Sequence, residues 1–200
     1  MVKMLYIAKR HPSLTPAGFV ARWRQHGALA MSLQLWRRMT GYVQASVISP
    51  APLAGASDGY DAIGVLWNSD APMTEADAAD SATMAKDEEE TFAHYISPGL
   101  QIFDEKVLKH DGPGRVTAYL CFSNAEAARK AAEAAVARPE ADRVTLNTPL
   151  PGVNRNLPYE AVVEVAAKDA TELSRALGPS GAKAVGVDLA LIAREAILWG

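Results

Sequence analysis

The chain has 200 residues, is 49% hydrophobic and 22% charged, and carries a formal net charge of -3. This length and composition predict a soluble protein with one larger or two small domains. The acidic balance, without a long basic run, excludes the pattern typical of proteins that bind nucleic acid or an anionic membrane. The single cysteine, Cys121, excludes an internal disulfide and fits a cytoplasmic protein. No apolar run is long enough to predict a membrane-spanning helix.

The first half of the chain contains four predicted strands and two predicted helices. Thr15 followed by Pro16 is a typical helix start, and the helix is expected to end before Gly41. The strands are short apolar or alternating runs bounded by Pro, Gly and Ser. Strands are expected at residues 2–9, 42–49, 60–67 and 100–108, and helices at 15–38 and 71–86, with acidic helix or turn continuing to 95.

The second half repeats this order after the breaker cluster KHDGPG at 109–114, which we interpret as a boundary. Strands are expected at 115–123, 142–148, 159–166 and 187–199, and helices at 124–138 and 170–177. We therefore predict an α+β fold in which two ferredoxin-like βαββαβ repeats pack sheet to sheet as an intrachain dimeric α/β-barrel. The repeats are expected at 1–110, which carries the candidate site, and at 111–200, which completes the barrel.

The first predicted helix contains the strongest candidate for a catalytic residue. Phe19, Trp23 and His26 are spaced i, i+4 and i+7, so their side chains lie along one helix face. An imidazole titrates near neutrality, and an apolar setting keeps it neutral, so His26 is the leading candidate for a general acid or base. The alternative is a core histidine that donates to a backbone carbonyl.

A base works better with a partner that orients it. Asp61 alternates with Ile63, Val65 and Trp67 on an otherwise apolar strand and is the predicted partner of His26. The carboxylates of residues 87–90, on the second helical segment, are the other candidates for this partner. The alternative for them is an exposed helix face in contact with solvent.

Aromatic residues from separate elements predict the walls of a substrate pocket. The set comprises Phe19, Trp23, Tyr42, Tyr60 and Trp67, with Tyr6 as a catalytic hydrogen-bond donor to a carbonyl oxygen. Ordinary core packing is the alternative for all of them. His94 is interpreted as a lip of the cleft or else as an exposed loop residue. The spacing of the four histidines predicts no metal site.

The first half also resembles the EthD family of the dimeric α+β barrel superfamily. The resemblance rests on MLYIAKR, the T-PAGFVARWRQHG segment, GYVQ, YDAIGVLW, KDEEETF and FDEKVL. The second half matches in fold pattern only, because its first helix has neither an aromatic residue nor a histidine. The resemblance implies a small protein without a cofactor. The asymmetry between the halves predicts one site per chain, and because the fused halves already supply the barrel, further homodimerisation is optional.

The same resemblance narrows the function without fixing it. Relatives act as dehydratases, lyases, isomerases, cyclases or oxygenases on aromatic, polyketide-like or lactone substrates, and some are pathway accessory proteins. We expect a cofactor-independent lyase, a dehydratase, acting on a small hydrophobic carbonyl compound through His26, Tyr6 and Asp61. The alternatives are a cofactor-free monooxygenase or isomerase, or a ligand-binding protein without catalysis.

Overall fold

The computed structural model describes residues 2–69, 74–96, 100–153, 156–179, 181–183 and 186–199. Within these residues, eight strands form one closed antiparallel barrel and four α-helices lie outside it. The strands are β1 (Val2–Ala8), β2 (Met39–Val47), β3 (Ala62–Asn68), β4 (Gln101–His110), β5 (Val116–Phe122), β6 (Arg143–Pro149), β7 (Ala161–Ala167) and β8 (Val187–Trp199). The α-helices are α1 (Pro16–Ser32), α2 (Glu75–Thr91), α3 (Ala125–Val136) and α4 (Ala170–Leu177).

The strand order around the barrel repeats between the two halves of the chain. Its order is β1-β3-β2-β8-β5-β7-β6-β4. The first half therefore contributes β4-β1-β3-β2 and the second half contributes β8-β5-β7-β6. The β2–β8 and β4–β6 ladders join the two sets of strands into one barrel. The prediction of an intrachain dimeric α/β-barrel of mixed α+β class is confirmed.

Each strand of the first half places alternate residues inside and outside the barrel, as the pleat of a strand requires. On β3, Ile63 and Val65 belong to the barrel interior, whereas Ala62 packs with aromatic residues of α1 outside it. In the second half, the small residues Ala128 and Ala132 of α3 pack against the outer face of the sheet. Both faces of the sheet are therefore buried, and two hydrophobic layers surround one shell of strands.

The first helix is shorter than predicted. Thr15 caps α1 as expected, because its side chain accepts a hydrogen bond from the Gly18 N–H. The helix ends at Ser32, and Leu33 is extended. A separate 3₁₀ helix, Gln34–Arg38, follows, and the Leu35 N–H donates to Asp80 of α2 at 2.9 Å. This contact with α2 replaces the helical hydrogen bonding that the sequence pattern predicted.

Most of the remaining boundaries differ from the prediction by one to three residues, and those of α2 and β4 are described here. The helix α2 begins after Thr74, whose side chain forms a capping box with Asp77, and it runs unbroken to Thr91; the predicted start at 71 lies outside the described residues. The strand β4 continues to His110, which pairs with Arg143 of β6, so the predicted linker begins two residues later. Among the described residues, none of the helices combines the length and the hydropathy needed to cross a membrane.

Candidate functional site

A cavity of about 430 Å³ lies between the outer face of β1, β3 and β2 and the helical layer above it. The helical layer consists of α1, α2 and the 3₁₀ helix. The cavity is lined by Met4, Tyr6, His26, Ala30, Leu35, Trp36, Arg38, Met39, Tyr42, Leu66, Asn68, Asp77, Ser81, Met84, Glu88, Ile96 and Leu100. Most of these side chains are apolar or aromatic, and a few polar groups stand among them, as is typical of small-molecule sites.

The cavity is elongated along α2. Asp77 and Glu88 both line it and are eleven residues apart on this helix, which corresponds to a rise of about 16 Å. On the sheet side, Tyr6 lies opposite Gly64 of β3, and Asn68 lies four residues farther along the same strand, or about 13 Å away. We call the part beside Tyr6 and Glu88 the His26 end, and the part beside Asp77 the Asn68 end.

His26 forms a hydrogen bond between α1 and α2. Its Nδ1 lies 2.7 Å from the Asp87 Oδ2 atom, and the imidazole is 3% exposed. Arg22, one turn earlier on α1, donates to both carboxylate oxygens of Asp87 at 2.6 and 3.1 Å. The His26 Nε2 atom has no hydrogen-bond partner anywhere in the described ranges. The second ring nitrogen is therefore available to a molecule in the cavity.

The protonation states follow from these contacts. Burial lowers the pKa of His26 below 6.5, and this outweighs the hydrogen bond and charge of Asp87, which raise it. Burial raises the pKa of Asp87, but the hydrogen bonds from Arg22 and His26 hold it below its ordinary value. At neutral pH Asp87 is a carboxylate and His26 is a neutral imidazole whose Nδ1–H donates to it. The Nε2 atom then carries the lone pair, which is the state that a general base requires.

Two tyrosines complete the His26 end. The Trp23 Nε1–H donates to the Tyr6 hydroxyl at 3.1 Å, and the Gln44 Nε2–H donates to the Tyr42 hydroxyl at 2.8 Å. The two hydroxyls are hydrogen-bonded to each other, and burial raises the pKa of both, so both stay protonated. One phenolic proton bridges the pair and the other remains for a ligand, because each phenol has a single proton to donate.

The position of the Tyr6 ring depends on a glycine. Tyr6 and Gly64 face each other in the β1–β3 ladder, and a Cβ atom at Gly64 would overlap the Tyr6 ring. Tyr6 is also held from above by Phe92, in an edge-on contact with a centroid distance of 6.1 Å. The absence of a side chain at Gly64 thus allows the tyrosine to lie flat on the sheet.

Phe92 is the centre of the aromatic packing behind the site. Its ring contacts those of Tyr6, Phe19, Trp23 and His26, all in edge-on geometry. Phe19 and Trp23 stack on each other at 5.5 Å and are fully buried. Neither of these two lines the cavity. They were predicted to bind substrate, and the structure instead places them as supports for Tyr6 and His26.

Asp61 does not reach His26, so the prediction that it orients the imidazole is corrected. Its carboxylate accepts a hydrogen bond from the Arg10 N–H at 2.9 Å and forms an ion pair with the Arg10 guanidinium. Asp61 directly precedes β3, on the same parity as Ile63 and Val65 of the barrel interior, whereas His26 lies over the outer face. The carboxylate that contacts His26 is Asp87, one of the group weighed as a solvated helix face.

The other predicted wall residues are also dispersed. Trp67 points into the barrel, where its Nε1–H donates to Glu105 at 2.7 Å. Tyr60 packs against the barrel interior cluster, with Lys9 over its ring at 5.3 Å. His94 is exposed and does not line the cavity. Of the predicted set, only Tyr6, His26 and Tyr42 meet at one cavity.

Several cavity residues carried no signal in the sequence. Trp36 and Asn68 lie in elements whose ends differ from the predicted ones. Glu88 belongs to an acidic run whose composition is typical of an exposed helix face. Glu88 is 4% exposed and accepts a hydrogen bond from the Ile96 N–H at 3.0 Å. The periodicity of Asp77, Ser81, Met84 and Glu88 along one helix face could have indicated the buried side of α2. Among the residues that the structure describes, no cluster of three His, Cys, Asp or Glu side chains is placed to hold a metal.

Comparison with known proteins finds similarity at the level of fold. No family model matches the chain, and no curated protein matches it. Solved structures that resemble it include a monooxygenase-like protein from Lactobacillus acidophilus NCFM, with 10% identity, coverage of 98% of this chain and 93% of that one, and a TM-score of 0.51. An anthrone oxidase-like protein has 10% identity, coverage of 98% and 91%, and a TM-score of 0.55. A chlorite dismutase-like protein has 11% identity, coverage of 98% and 94%, and a TM-score of 0.55. These neighbours have the dimeric α+β barrel fold.

Proposed function

We propose that the protein is a cofactor-independent lyase, a dehydratase, that acts on a small hydrophobic carbonyl compound bound in the cavity. The observation that carries this proposal is the arrangement of His26. Its Nδ1 is held by Asp87 at 2.7 Å, and its Nε2 has no partner within the described part of the chain. A neutral imidazole in this state, next to a phenolic donor and apolar walls, suits removal of a proton adjacent to a carbonyl group.

The first step is enolisation. The Nε2 lone pair of His26 takes a proton from the carbon next to the carbonyl, the C–H electron pair forms the carbon–carbon double bond of the enolate, and the π pair of the carbonyl moves onto its oxygen. The imidazolium that forms is stabilised by the Asp87 carboxylate. The phenolic proton that is not shared within the Tyr6–Tyr42 pair donates to the developing oxyanion. Both phenols remain neutral donors at neutral pH because burial raises their pKa values.

Elimination then completes a dehydration. In a β-hydroxyketone, the enolate electrons form the carbon–carbon double bond while the C–O bond to the hydroxyl group breaks. The imidazolium Nε2–H of His26 protonates the departing oxygen, so water leaves and His26 returns to its neutral form. The proton removed in the first step is the one delivered in the second, and no further reactant is needed.

A cofactor-free monooxygenase is the second candidate, and the fold-level similarity to a monooxygenase-like and an anthrone oxidase-like protein favours it. The same enolate would react with dioxygen as the oxidant. For a methylene group conjugated to a ketone through aromatic rings, as in anthrone, one oxygen atom becomes the new carbonyl oxygen and the other leaves as water with the two methylene protons. An isomerase would instead return the proton at another carbon.

We also propose that the chain belongs with the EthD-like proteins and has one site per chain. The two halves support this by contrast. The helix α1 carries the buried His26 and Trp23, whereas the buried positions of α3 are Ala128, Ala132 and Ala135. In this proposal 1–110 provides the chemistry, 111–200 completes the barrel, the protein is cytoplasmic, and a homodimer is not required.

Two probe compounds distinguish a dehydratase, a monooxygenase and a ligand-binding protein without catalysis. The aldol adduct of benzaldehyde and acetone is a β-hydroxyketone, and its dehydration to benzalacetone is followed by ultraviolet absorbance. Anthrone is incubated in D2O under nitrogen to measure exchange of its methylene protons, and in air to measure oxygen uptake with an electrode. A dehydratase forms benzalacetone without oxygen uptake, and a monooxygenase consumes oxygen with anthrone. A ligand-binding protein binds both probes and changes neither.

The variant His26→Gln tests the proposed base in the same assays. It removes the Nε2 lone pair while keeping a polar side chain next to Asp87, and we expect dehydration and exchange to fall to background with an unchanged circular dichroism spectrum. His94→Gln is the matched control, because His94 is exposed and outside the cavity. Activity of His26→Gln near that of the wild type would rule out the proposed mechanism.

A further inference from the structure

A second cavity, of about 210 Å³, lies inside the barrel and is separated from the first by the sheet. We call it the barrel cavity. All eight strands contribute side chains to it. Part of its wall is apolar and consists of Val65 and Trp67, which pack in the barrel interior. Two exposed residues of β4, Val107 and His110, mark its mouth.

The charged groups that line the barrel cavity are unequal in number. Among the described residues, three carboxylates (Glu105, Glu164 and Glu195) face two cationic side chains, Lys3 and Arg143. The Glu164 and Glu195 side chains are only 4% and 5% exposed. One negative charge is therefore left in excess at a place where water screens it poorly, and such a charge is costly unless it is paired.

Two of the three carboxylates bind partners through both of their oxygens. The Arg143 Nη2 atom donates to Oε1 and Oε2 of Glu195, each at 2.8 Å. The Lys3 Nζ atom donates to Glu105 Oε1 at 2.7 Å, and the Trp67 Nε1–H donates to Glu105 Oε2 at 2.7 Å. These two carboxylates therefore have no oxygen left without a protein partner.

Glu164 of β7 differs from them because only one of its oxygens is bound. Its Oε1 atom lies 2.6 Å from Lys3 Nζ, which Glu105 also binds, and it accepts from the Asn147 amide at 2.9 Å. Its Oε2 atom has no hydrogen-bond partner in the part of the chain that the structure describes. Glu164 lines the barrel cavity, so a molecule in this cavity can supply the partner. Buried polar atoms in native proteins are almost always paired.

The chemistry of the barrel cavity specifies the kind of molecule that fits. A carboxylate oxygen only accepts hydrogen bonds, and the excess negative charge favours a donor that is positively charged. The apolar side chains of Val65, Trp67 and Val107 favour a hydrocarbon or aromatic body next to that donor. The volume corresponds to about seven water molecules, which limits the ligand to a small compound.

We propose that the barrel cavity is a second binding site, which takes a small primary amine with an apolar body. The ammonium group donates to Glu164 Oε2, and the apolar body lies toward the mouth beside Val107. This site does not depend on the proposed function, because its side chains lie on the interior face of the sheet, away from His26. Either one can fail while the other stands.

The test compares three probes of similar size and different charge: benzylamine, benzyl alcohol and benzoate. Isothermal titration calorimetry measures their dissociation constants in phosphate buffer at neutral pH and low ionic strength, because Tris is itself an amine. We expect one molecule of benzylamine to bind per chain. Benzyl alcohol and benzoate should bind at least about tenfold more weakly, since a hydrogen bond to a buried carboxylate is stronger when the donor is charged.

The variant Glu164→Gln locates the amine. It removes the excess charge and keeps a side chain of the same shape, and Lys3 retains Glu105 as its partner. We expect the affinity for benzylamine to fall at least about tenfold, to that of benzyl alcohol. Glu133→Gln is the matched control, because the Glu133 side chain is 58% exposed on α3 and does not line the barrel cavity. Circular dichroism and urea denaturation establish whether each variant is folded.

The variant Val107→Lys gives a second test that leaves the buried charges intact. Val107 is 52% exposed, so a lysine fits at the mouth, where its charge should weaken benzylamine binding by about threefold and leave benzyl alcohol unaffected. Thr83→Lys is its control, because it adds the same charge at an exposed position on α2, outside the barrel. If Glu164→Gln does not fold, the result with Val107→Lys decides.

Each outcome either supports or overturns the inference. A preference for benzylamine that is lost in folded Glu164→Gln and kept in Glu133→Gln supports it, whether or not the protein proves to be a dehydratase. Equal binding of the three probes overturns it, as does a preference that survives in folded Glu164→Gln. Absence of saturable benzylamine binding also overturns it. Failure of the dehydration assays bears only on the proposed function, because benzylamine has no carbonyl group.

Discussion

The Nδ1 atom of His26 and the Oδ2 atom of Asp87 lie 2.7 Å apart across the contact between α1 and α2. Arg22 binds the same carboxylate from the same face of α1. One carboxylate therefore joins the two helices, fixes the tautomer of the imidazole and leaves its second nitrogen facing the cavity. Helix packing and the protonation state of the candidate base depend on the same contact.

Asp87→Asn should shift the pH dependence of dehydration to lower pH. The folded-state pKa of His26 already lies below 6.5 because burial lowers it, and the hydrogen bond and charge of Asp87 raise it. Removing that charge lowers the pKa of His26 further. The acid limb of the profile of kcat/KM, which reports protonation of the free base, should lie below 6.5 in the wild type and lower still in the variant. The plateau should fall by at least about tenfold, because the imidazolium loses its stabilising partner.

Glu90→Gln is the control for this charge change. The Glu90 side chain is 78% exposed and lies 3.5 Å from the same Arg22 nitrogen that binds Asp87. We expect both the acid limb and the plateau of this variant to match those of the wild type, because an exposed ion pair contributes little. An upward movement of the acid limb in Asp87→Asn would contradict the assignment of the pH dependence to His26.

Tyr42→Phe should lower the rate of the chemical step more than it weakens binding. The variant removes the hydroxyl that is hydrogen-bonded to Tyr6, so the Tyr6 phenol must donate to the oxyanion alone, without a second phenol to orient and strengthen it. We expect kcat for dehydration to fall by about tenfold, while KM changes little. Tyr95→Phe is the control, because Tyr95 is exposed and bonds only to Glu89 among the described residues. A change confined to KM would indicate that Tyr42 only binds the substrate.

The sequence predicted the elements well where periodicity and turn residues agree. The helix α4 and the strand β8 have the predicted bounds, and the stripe of Phe19, Trp23 and His26 is buried on α1 as expected. The spacing of a helix identifies its buried face because only one face of α1 packs on the sheet. That is why His26 could be identified from sequence.

The same reasoning failed for Asp61 because β3 is buried on both faces. Asp61, Ile63, Val65 and Trp67 do share one face, as predicted, but that face lines the barrel interior. The residues that face α1 have the other parity, such as Gly64 and Asn68. An apolar run on a strand covered on both sides gives no sign of which face meets the helices. The pairing of Asp87 with His26 likewise depends on tertiary contacts that no local pattern contains.

Gly64→Ala should disrupt the site from the sheet side. The new methyl group would overlap the Tyr6 ring, which cannot move away because Phe92 and Trp23 hold it. We expect the free energy of unfolding to fall by about 1–3 kcal/mol and turnover to be lost together with it. Gly59→Ala, at an exposed position before β3, should have neither effect in urea denaturation and dehydration assays. Unchanged stability of Gly64→Ala would show that the Tyr6 ring is not fixed on the sheet.

The barrel interior holds a second ionic cluster that should govern stability without affecting the site. The Lys3 Nζ atom lies 2.7 Å from Glu105 and 2.6 Å from Glu164, and its side chain is 1% exposed. Lys3→Met would leave two carboxylates in the barrel without their cation. We expect a loss of about 3–5 kcal/mol in the free energy of unfolding, measured by urea denaturation.

An exposed ion pair provides the comparison for Lys3. Arg129 of α3 bonds to Glu126 and Glu133, but its side chain is half exposed, so Arg129→Ala should cost less than about 1 kcal/mol. Lys3 does not line the cavity beside His26, and dehydration of the aldol adduct by folded Lys3→Met should therefore equal that of the wild type. Equal stability losses in the two variants would contradict a closed, desolvated barrel interior. Altered dehydration by the folded variant would instead show that the interior and the cavity beside His26 are coupled through β1, on which Lys3 and Tyr6 lie three residues apart and on opposite faces.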